Sequence, residues 1–155
     1  MVQTSKLLAL IGAILSILGA FFFSLYTYVF PVYGVGGLLS IGSAFGAAST
    51  GVHYILIITF FIFLLATIVQ IFGIQSHIIA MIGGGITLVF CIFIFLGVFG
   101  VLPAITDGIG FLLDNNDWIP GVIPVNVNLF NVGLGTYITT VGGVLSFVSG
   151  FLPRE

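Results

Sequence analysis

Charged side chains are almost missing from this chain, and their scarcity excludes whole classes of function. Only 4% of the 155 residues are Asp, Glu, Lys or Arg, whereas soluble domains average about 25%. So few charges cannot cover a water-exposed surface, and they form no basic patch for nucleic acid or anionic lipid. The two cations are Lys6 and Arg154, and the four acids are Asp107, Asp114, Asp117 and Glu155.

Side chains that could act as acids, bases or thiol nucleophiles are equally scarce. The single cysteine, Cys91, lies inside a long apolar run, where it has no intrachain disulfide partner and behaves as a small hydrophobe. No charged residue lies between Lys6 and Asp107, so the chain lacks a carboxylate or amine to carry a proton through a bilayer centre. We therefore predict no catalytic site and expect that the protein is not an enzyme.

The two histidines, His53 and His77, invite comparison with bis-histidine haem proteins. About one membrane thickness of apolar chain separates them, and a single iron cannot bridge that distance. We expect His53 to be an interfacial residue and His77 a turn residue, with a cofactor shared between subunits as the alternative. The segment 114–117 resembles part of a calcium loop but lacks the required glycine and glutamate, so no metal site or cofactor is predicted.

What the chain does contain is long apolar runs. The run from Ile78 to Leu102 has 25 residues without a charge, and as a helix it would extend about 37 Å, enough to cross a hydrocarbon core of about 30 Å. Three other runs resemble it, and the first is too long for the core of a signal peptide. The sequence predicts an all-α integral membrane protein, a single transmembrane domain over residues 1–155. Its four-helix bundle is expected to have helices at about 6–30, 51–72, 78–102 and 129–152.

The segments between these runs indicate the topology. Residues 31–50 are small and glycine-rich, and either an outer loop or a short re-entrant helix would account for them. Lys6 and Arg154 flank the first and last runs, so the positive-inside rule places both termini on the cytoplasmic side of the cell membrane. This multi-pass topology puts segment 104–128 outside, with Trp118 expected in the interface.

Small residues recur at four-residue spacing in three of the runs. Such stripes let helix backbones approach closely in lipid, where no hydrophobic force drives helices together. We predict close packing of the first and last helices, with help from the third. The predicted packing residues are Gly12, Ser16, Ala20, Gly83, Thr87, Gly142, Ser146 and Gly150.

The second run has few small residues and many bulky ones. We therefore expect its helix to be the most peripheral and to present large side chains to partners or lipid. The predicted contact residues are Tyr54, Phe60, Phe61 and Phe63, together with Trp118 of the outer segment.

The last run, with Gly135, Tyr137, Gly142, Gly143 and Gly150, resembles the final helix of small four-span membrane proteins, including claudin-like ones. The first outer segment lacks the cysteine pair and the tryptophan signature of claudins, so no family is assigned. We expect a structural or accessory subunit of a larger integral-membrane complex, such as a respiratory or membrane-bound oxidase assembly. Its partners would be membrane lipid and other integral-membrane subunits. The alternative is a small homo-oligomeric channel or carrier for a neutral solute.

Overall fold

Four helices dominate the structure, a computed structural model that describes residues 3–27, 31–33, 45–46, 48–101 and 128–153. The helices are α1 (Thr4–Ile17), α2 (Gly51–Val69), α3 (His77–Val98) and α4 (Leu134–Ser149). A π-helical segment, Leu18–Phe22, extends α1, and a 3-10 segment, Gln70–Ile74, extends α2. With these extensions the first three helices are long and apolar enough to cross a membrane, whereas α4 is a shorter apolar helix. The described part of the chain is thus mostly helical, as predicted, with one helix shorter than expected.

The helices run antiparallel to their neighbours. Ser5 near the start of α1 donates a hydrogen bond to the carbonyl of Pro153 beyond α4, and Gly12 lies against Ser146. His77 at the start of α3 contacts Gly150 at the end of α4. The turn between α2 and α3 therefore lies at the same end of the bundle as Ser5 and Pro153, which we call the turn end.

A small sheet occupies the opposite end, which we call the sheet end. Its strands are β1 (Ser24–Thr27), β2 (Pro31–Tyr33), β3 (Asn128–Leu129) and β4 (Val132–Gly133). They pair antiparallel in the order β2-β1-β4-β3, and Tyr26 of β1 lies opposite Val132 of β4. The sheet therefore joins the chain after α1 to the chain before α4.

This sheet corrects two helix boundaries and the purely helical class. The first helix was predicted to reach residue 30, but it ends at Phe22 and the chain enters β1 at Ser24. The last was predicted to start at residue 129, but it starts at Leu134, after a hairpin turn at Phe130 and Asn131. Aromatic and β-branched residues are common in strands as well as in membrane helices, so these ends of the runs fit either structure. Most of the outer segments 31–50 and 104–128, including Trp118, lies outside the described residues.

Two kinds of packing hold the helices together. Between α1 and α4 nearly every buried residue is small, and we call this contact the small-residue seam; its members are Gly12, Ser16 and Gly19 of α1 and Gly135, Thr139, Gly142 and Ser146 of α4. Between α2 and α3 lies a cluster of large side chains, the aromatic cluster, formed by Ile57, Phe60, Phe63, Leu64, Phe90 and Ile94.

Candidate functional site: a closed helix interior

The small-residue seam brings two backbones into direct contact. A Cβ atom added to Gly12 would lie 2.6 Å from the backbone nitrogen of Ser146 and 2.7 Å from the carbonyl oxygen of Gly142. A Cβ atom added to Gly142 on the opposite helix would lie 2.6 Å from both the carbonyl oxygen of Gly12 and the backbone nitrogen of Ser16. Neither position has room for a side chain. The structure therefore brings Gly12, Ser16, Gly142 and Ser146 together at one helix contact.

The same close approach continues on the other face of α4, toward α3. A Cβ on Gly84 would lie 2.6 Å from the backbone nitrogen of Phe147, and Ser146 donates a 3.3 Å hydrogen bond to the carbonyl of Ala80. Gly150 was predicted to pack on the first helix, but its nearest neighbours are His77 and Met81 of α3. Helix α4 thus approaches both α1 and α3 closely, with a glycine on at least one side of each contact.

Ala20 occupies a different place from the rest of its predicted stripe. It is buried in the π-helical segment and belongs to the core around the aromatic cluster, together with Leu25 of β1. The π-helical segment has a wider turn than an α-helix, so the four-residue spacing ceases to mark one face. The stripe from Gly12 to Ser16 therefore does not continue to Ala20 along the seam.

A buried glutamine connects three of the helices. Gln70 has no exposed surface, and its side-chain oxygen accepts a 3.0 Å hydrogen bond from the hydroxyl of Ser16 on α1. Its side-chain nitrogen donates to the carbonyl of Gly83, at 3.2 Å, and to the hydroxyl of Thr87, at 2.7 Å, both on α3. We call these four residues the Gln70 cluster.

The Gln70 cluster is satisfied from within. The hydroxyl of Thr87 donates in turn to the carbonyl of Gly83, at 2.8 Å. Each polar atom of the amide therefore has a partner, and a buried amide with partners lacks the desolvation penalty of an unpaired one. Three of the predicted packing residues, Ser16, Gly83 and Thr87, meet here through hydrogen bonds rather than through small size alone.

Gln70 is not among the residues predicted from the sequence, although the structure buries it between three helices. The available signal was the residue itself, because a lone amide in an apolar membrane helix faces the protein interior and hydrogen-bonds across helices. Its position near the end of the run obscured that signal. The chain continues helically to Ile74, so Gln70 lies one turn inside the helical segment.

The predicted surface of α2 is only partly correct. Tyr54 and Phe61 are each 43% exposed, but Phe60 and Phe63 are 4% and 0% exposed and belong to the aromatic cluster. The ring of Phe63 stacks on Phe90 with centroids 4.3 Å apart. The prediction that Phe60 and Phe63 form an outer contact surface is therefore wrong, because their side of the helix packs on α3. The acids of segment 104–128 and Trp118 lie outside the described residues.

The histidines lie at opposite ends of the bundle. The backbone nitrogen of Ser49 donates to Nδ1 of His53 at the sheet end, over 3.4 Å, and Nδ1 of His77 donates to the carbonyl of Gly150 at the turn end, over 3.2 Å. Because α2 and its extension separate them, they cannot ligate one ion within a single chain. Among the described residues, no group of three or more His, Cys, Asp or Glu side chains is placed to hold a metal.

Comparison with known protein families, with curated proteins and with solved structures finds no match for this chain.

Proposed function

We propose that this protein is a non-catalytic structural subunit of a larger integral-membrane assembly, and that it acts by helix packing and lipid contact. It spans the cell membrane four times, with both termini on the cytoplasmic side and the sheet end outside. The short helix α4 crosses as the fourth span with the help of the extended chain at its start.

The closed interior carries the proposal. Backbone contacts along the seam leave no room between α1 and α4, and the buried amide of Gln70 uses its hydrogen-bonding capacity on Ser16, Gly83 and Thr87. Lys6 is the one charged residue in the part of the chain that the structure describes, and it lies at the turn end of α1. These features favour a rigid packing element over a carrier that must open a polar path.

The outer surface supports lateral contacts with apolar partners. Large apolar side chains cover the outward face of α2, and an apolar groove of about 200 Å³ runs between α2 and α3, with Ile62, Leu65 and Ile82 among its lining residues. Another apolar hollow near the sheet end is lined by Phe45, Ile57, Ile58 and Phe61. Phe61 lies beside this second hollow, so we propose that it is a main contact residue on α2.

Extraction in a mild detergent, followed by sizing and mass spectrometry, tests the proposal. We expect the chain to migrate with other integral-membrane polypeptides in a particle larger than its own monomer. A particle that contains this chain alone, in several copies, would instead favour the homo-oligomeric channel or carrier.

Two matched variants localise the partner surface. We expect Phe61→Ala to reduce the recovery of partners, because it removes an exposed ring from α2. Ile14→Ala is the control, because Ile14 is an exposed apolar residue of α1, outside the proposed surface. Equal recovery of partners with both variants would contradict the proposed role of α2, provided that both remain monodisperse after separation.

Cysteine labelling tests the proposed orientation. In a Cys91→Ala background, Asn116→Cys is expected to react with a membrane-impermeant maleimide added outside intact cells. Labelling only after access to the cytoplasmic face would reverse the orientation.

A further inference from the structure

We propose that the β3–β4 hairpin, residues 128–133, is a membrane-interface anchor that completes the span of α4, with the ring of Phe130 lying among lipid. The inference rests on the membrane-embedded part of the proposed function and adds a lipid-binding element to it. The partner is the boundary between headgroups and acyl chains of the bilayer.

The length of α4 gives the first argument. Its 16 residues extend about 24 Å, which falls about 6 Å short of a hydrocarbon core of about 30 Å. The two residues of β4, Val132 and Gly133, lead directly into α4, and extended chain adds about 3.3 Å per residue. The turn of the hairpin therefore reaches the level at which the hydrocarbon core ends.

Continuity of the apolar surface gives the second argument. Exposed apolar residues follow one face of α4 at helical spacing, at Val141, Val144 and Val148, and Phe151 continues this face just beyond the helix. Tyr137 lies on the same face one turn earlier, and its hydroxyl donates a 3.1 Å hydrogen bond to the carbonyl of Leu129 in the hairpin. The lipid-facing surface of the helix therefore continues onto the exposed side chains of Leu129 and Phe130.

The conformation of the turn gives the third argument. Phe130 and Asn131 both have positive φ, at 55° and 64°. Asparagine tolerates this region of backbone space, but a bulky aromatic residue rarely occupies it, and two-residue hairpin turns favour Asn-Gly. The residue is nevertheless 82% exposed. The membrane interface favours an exposed aromatic ring. Contact of the Phe130 ring with the interface would offset the cost of its backbone conformation.

Most of the hairpin backbone is paired, because β4 lies between β1 and β3, and β3, the edge strand of the sheet, is paired on one side. β3 pairs with β4, β4 pairs with β1, and Tyr137 hydrogen-bonds the carbonyl of Leu129. Residues 128–153 contain no charged side chain. A largely paired backbone and uncharged side chains suit a position at the boundary between headgroups and acyl chains, where water and headgroups can bond the open side of β3.

Tryptophan fluorescence in lipid vesicles tests the anchor. The only tryptophan is removed by Trp118→Phe, and Phe130→Trp or Val144→Trp is then introduced. Each purified variant is reconstituted in phosphatidylcholine vesicles whose acyl chains carry bromine near the headgroup or near the terminal methyl. We expect the Phe130→Trp fluorophore to be quenched more by bromine near the headgroup and only weakly by aqueous acrylamide. The Val144→Trp fluorophore should show the opposite depth preference, because Val144 lies in the middle of α4.

Strong quenching of the Phe130→Trp fluorophore by acrylamide, with no response to either brominated lipid, would overturn the anchor. If Phe130→Trp does not fold, as judged by circular dichroism and sizing, Leu129→Trp replaces it with the same expected result. Failure of the Val144→Trp fluorophore to respond to brominated lipid would refute membrane embedding itself. Since no partner is present in the vesicles, the result is independent of the co-purification experiment.

Discussion

The α1–α4 contact and the α2–α3 contact hold their helices together in opposite ways. Along the small-residue seam, glycine backbones touch those of the opposite helix, as at Gly12 and Gly142. In the aromatic cluster, large rings fill the space between the helices, and Phe63 stacks on Phe90. The small-residue seam is therefore stabilised by contact between helix backbones, whereas the aromatic cluster is stabilised by packing between large side chains.

The contrast matters for the proposed membrane location, because lipid changes what burial contributes to stability. In water, burying a ring is favourable chiefly because apolar surface leaves the solvent. In a bilayer that contribution largely disappears, and close packing and hydrogen bonds remain. We therefore expect the seam to be intolerant of any added atom, and the aromatic cluster to be more tolerant of removed ones.

The largest effect is expected at the seam. Gly12→Ala adds one methyl group where backbone atoms of Gly142 and Ser146 already lie within contact distance. Neither helix can yield by rotating a side chain, so we expect the free energy of unfolding to fall by about 3 kcal/mol. Unfolding in a denaturing detergent, followed by circular dichroism, would measure the change.

Gly85→Ala is the matched control on α3. A Cβ there would meet only the ring of Phe147 at 3.7 Å, an ordinary contact. Alanine is a better helix former than glycine, so this variant should be more stable by up to about 1 kcal/mol. Equal destabilisation by Gly12→Ala and Gly85→Ala would show that backbone contact does not define the seam.

The second effect is expected in the aromatic cluster. Phe63→Ala leaves a cavity beside Phe90, and in lipid the cost is the lost packing without the full transfer contribution. We expect a loss of about 2 kcal/mol, less than the values of about 3–5 kcal/mol typical of soluble cores. The same detergent titration measures it, and Phe61→Ala is the control because its ring is exposed on the same helix. A larger loss from Phe63→Ala than from Gly12→Ala would reverse the proposed ranking of the two contacts.

Apolar length made the helices predictable, whereas their ends and buried faces were not. The run at 78–102 is long enough to identify α3, and the structure has this helix at His77–Val98. Residues 23–27 are apolar enough to continue a membrane helix, yet Ser24–Thr27 form β1, which pairs with β2 and, at Tyr26, with β4. Pairing between distant segments leaves no local pattern. Phe60, Phe61 and Phe63 are chemically identical, so hydropathy could not distinguish the two buried rings from the exposed one.

The seam was more predictable than the Gln70 cluster. Small residues at four-residue spacing are a repeated pattern, and Gly12 and Gly142 do lie against opposing backbone. Gln70 is a single residue, and its partners Ser16 and Thr87 come from other helices. A hydrogen-bond network across helices depends on their rotation about their axes, which hydropathy does not specify.

The smallest effect is expected from the Gln70 cluster, which joins the two modes of packing by linking α1 to α3. Ser16→Ala and Gln70→Met each remove one partner of the 3.0 Å hydrogen bond while keeping similar volume. Hydrogen bonds between membrane helices contribute on average about 0.6 kcal/mol, since polar groups find other partners in the unfolded protein. In Gln70→Met, Ser16 can donate to a carbonyl of its own helix, and Thr87 still donates to Gly83. In Ser16→Ala, the side-chain oxygen of Gln70 loses the hydroxyl that donates to it.

A double-mutant cycle over Ser16→Ala, Gln70→Met and the combined variant measures this coupling by detergent unfolding. We expect a coupling energy of about 0.5–1 kcal/mol, well below the effect of Gly12→Ala. A coupling near zero would mean that the hydrogen bond orients the helices without stabilising them. A coupling larger than the cost of Gly12→Ala would make the Gln70 cluster the principal stabilising contact of the bundle. In that case polar bonding, rather than close backbone approach, would hold α1 in place.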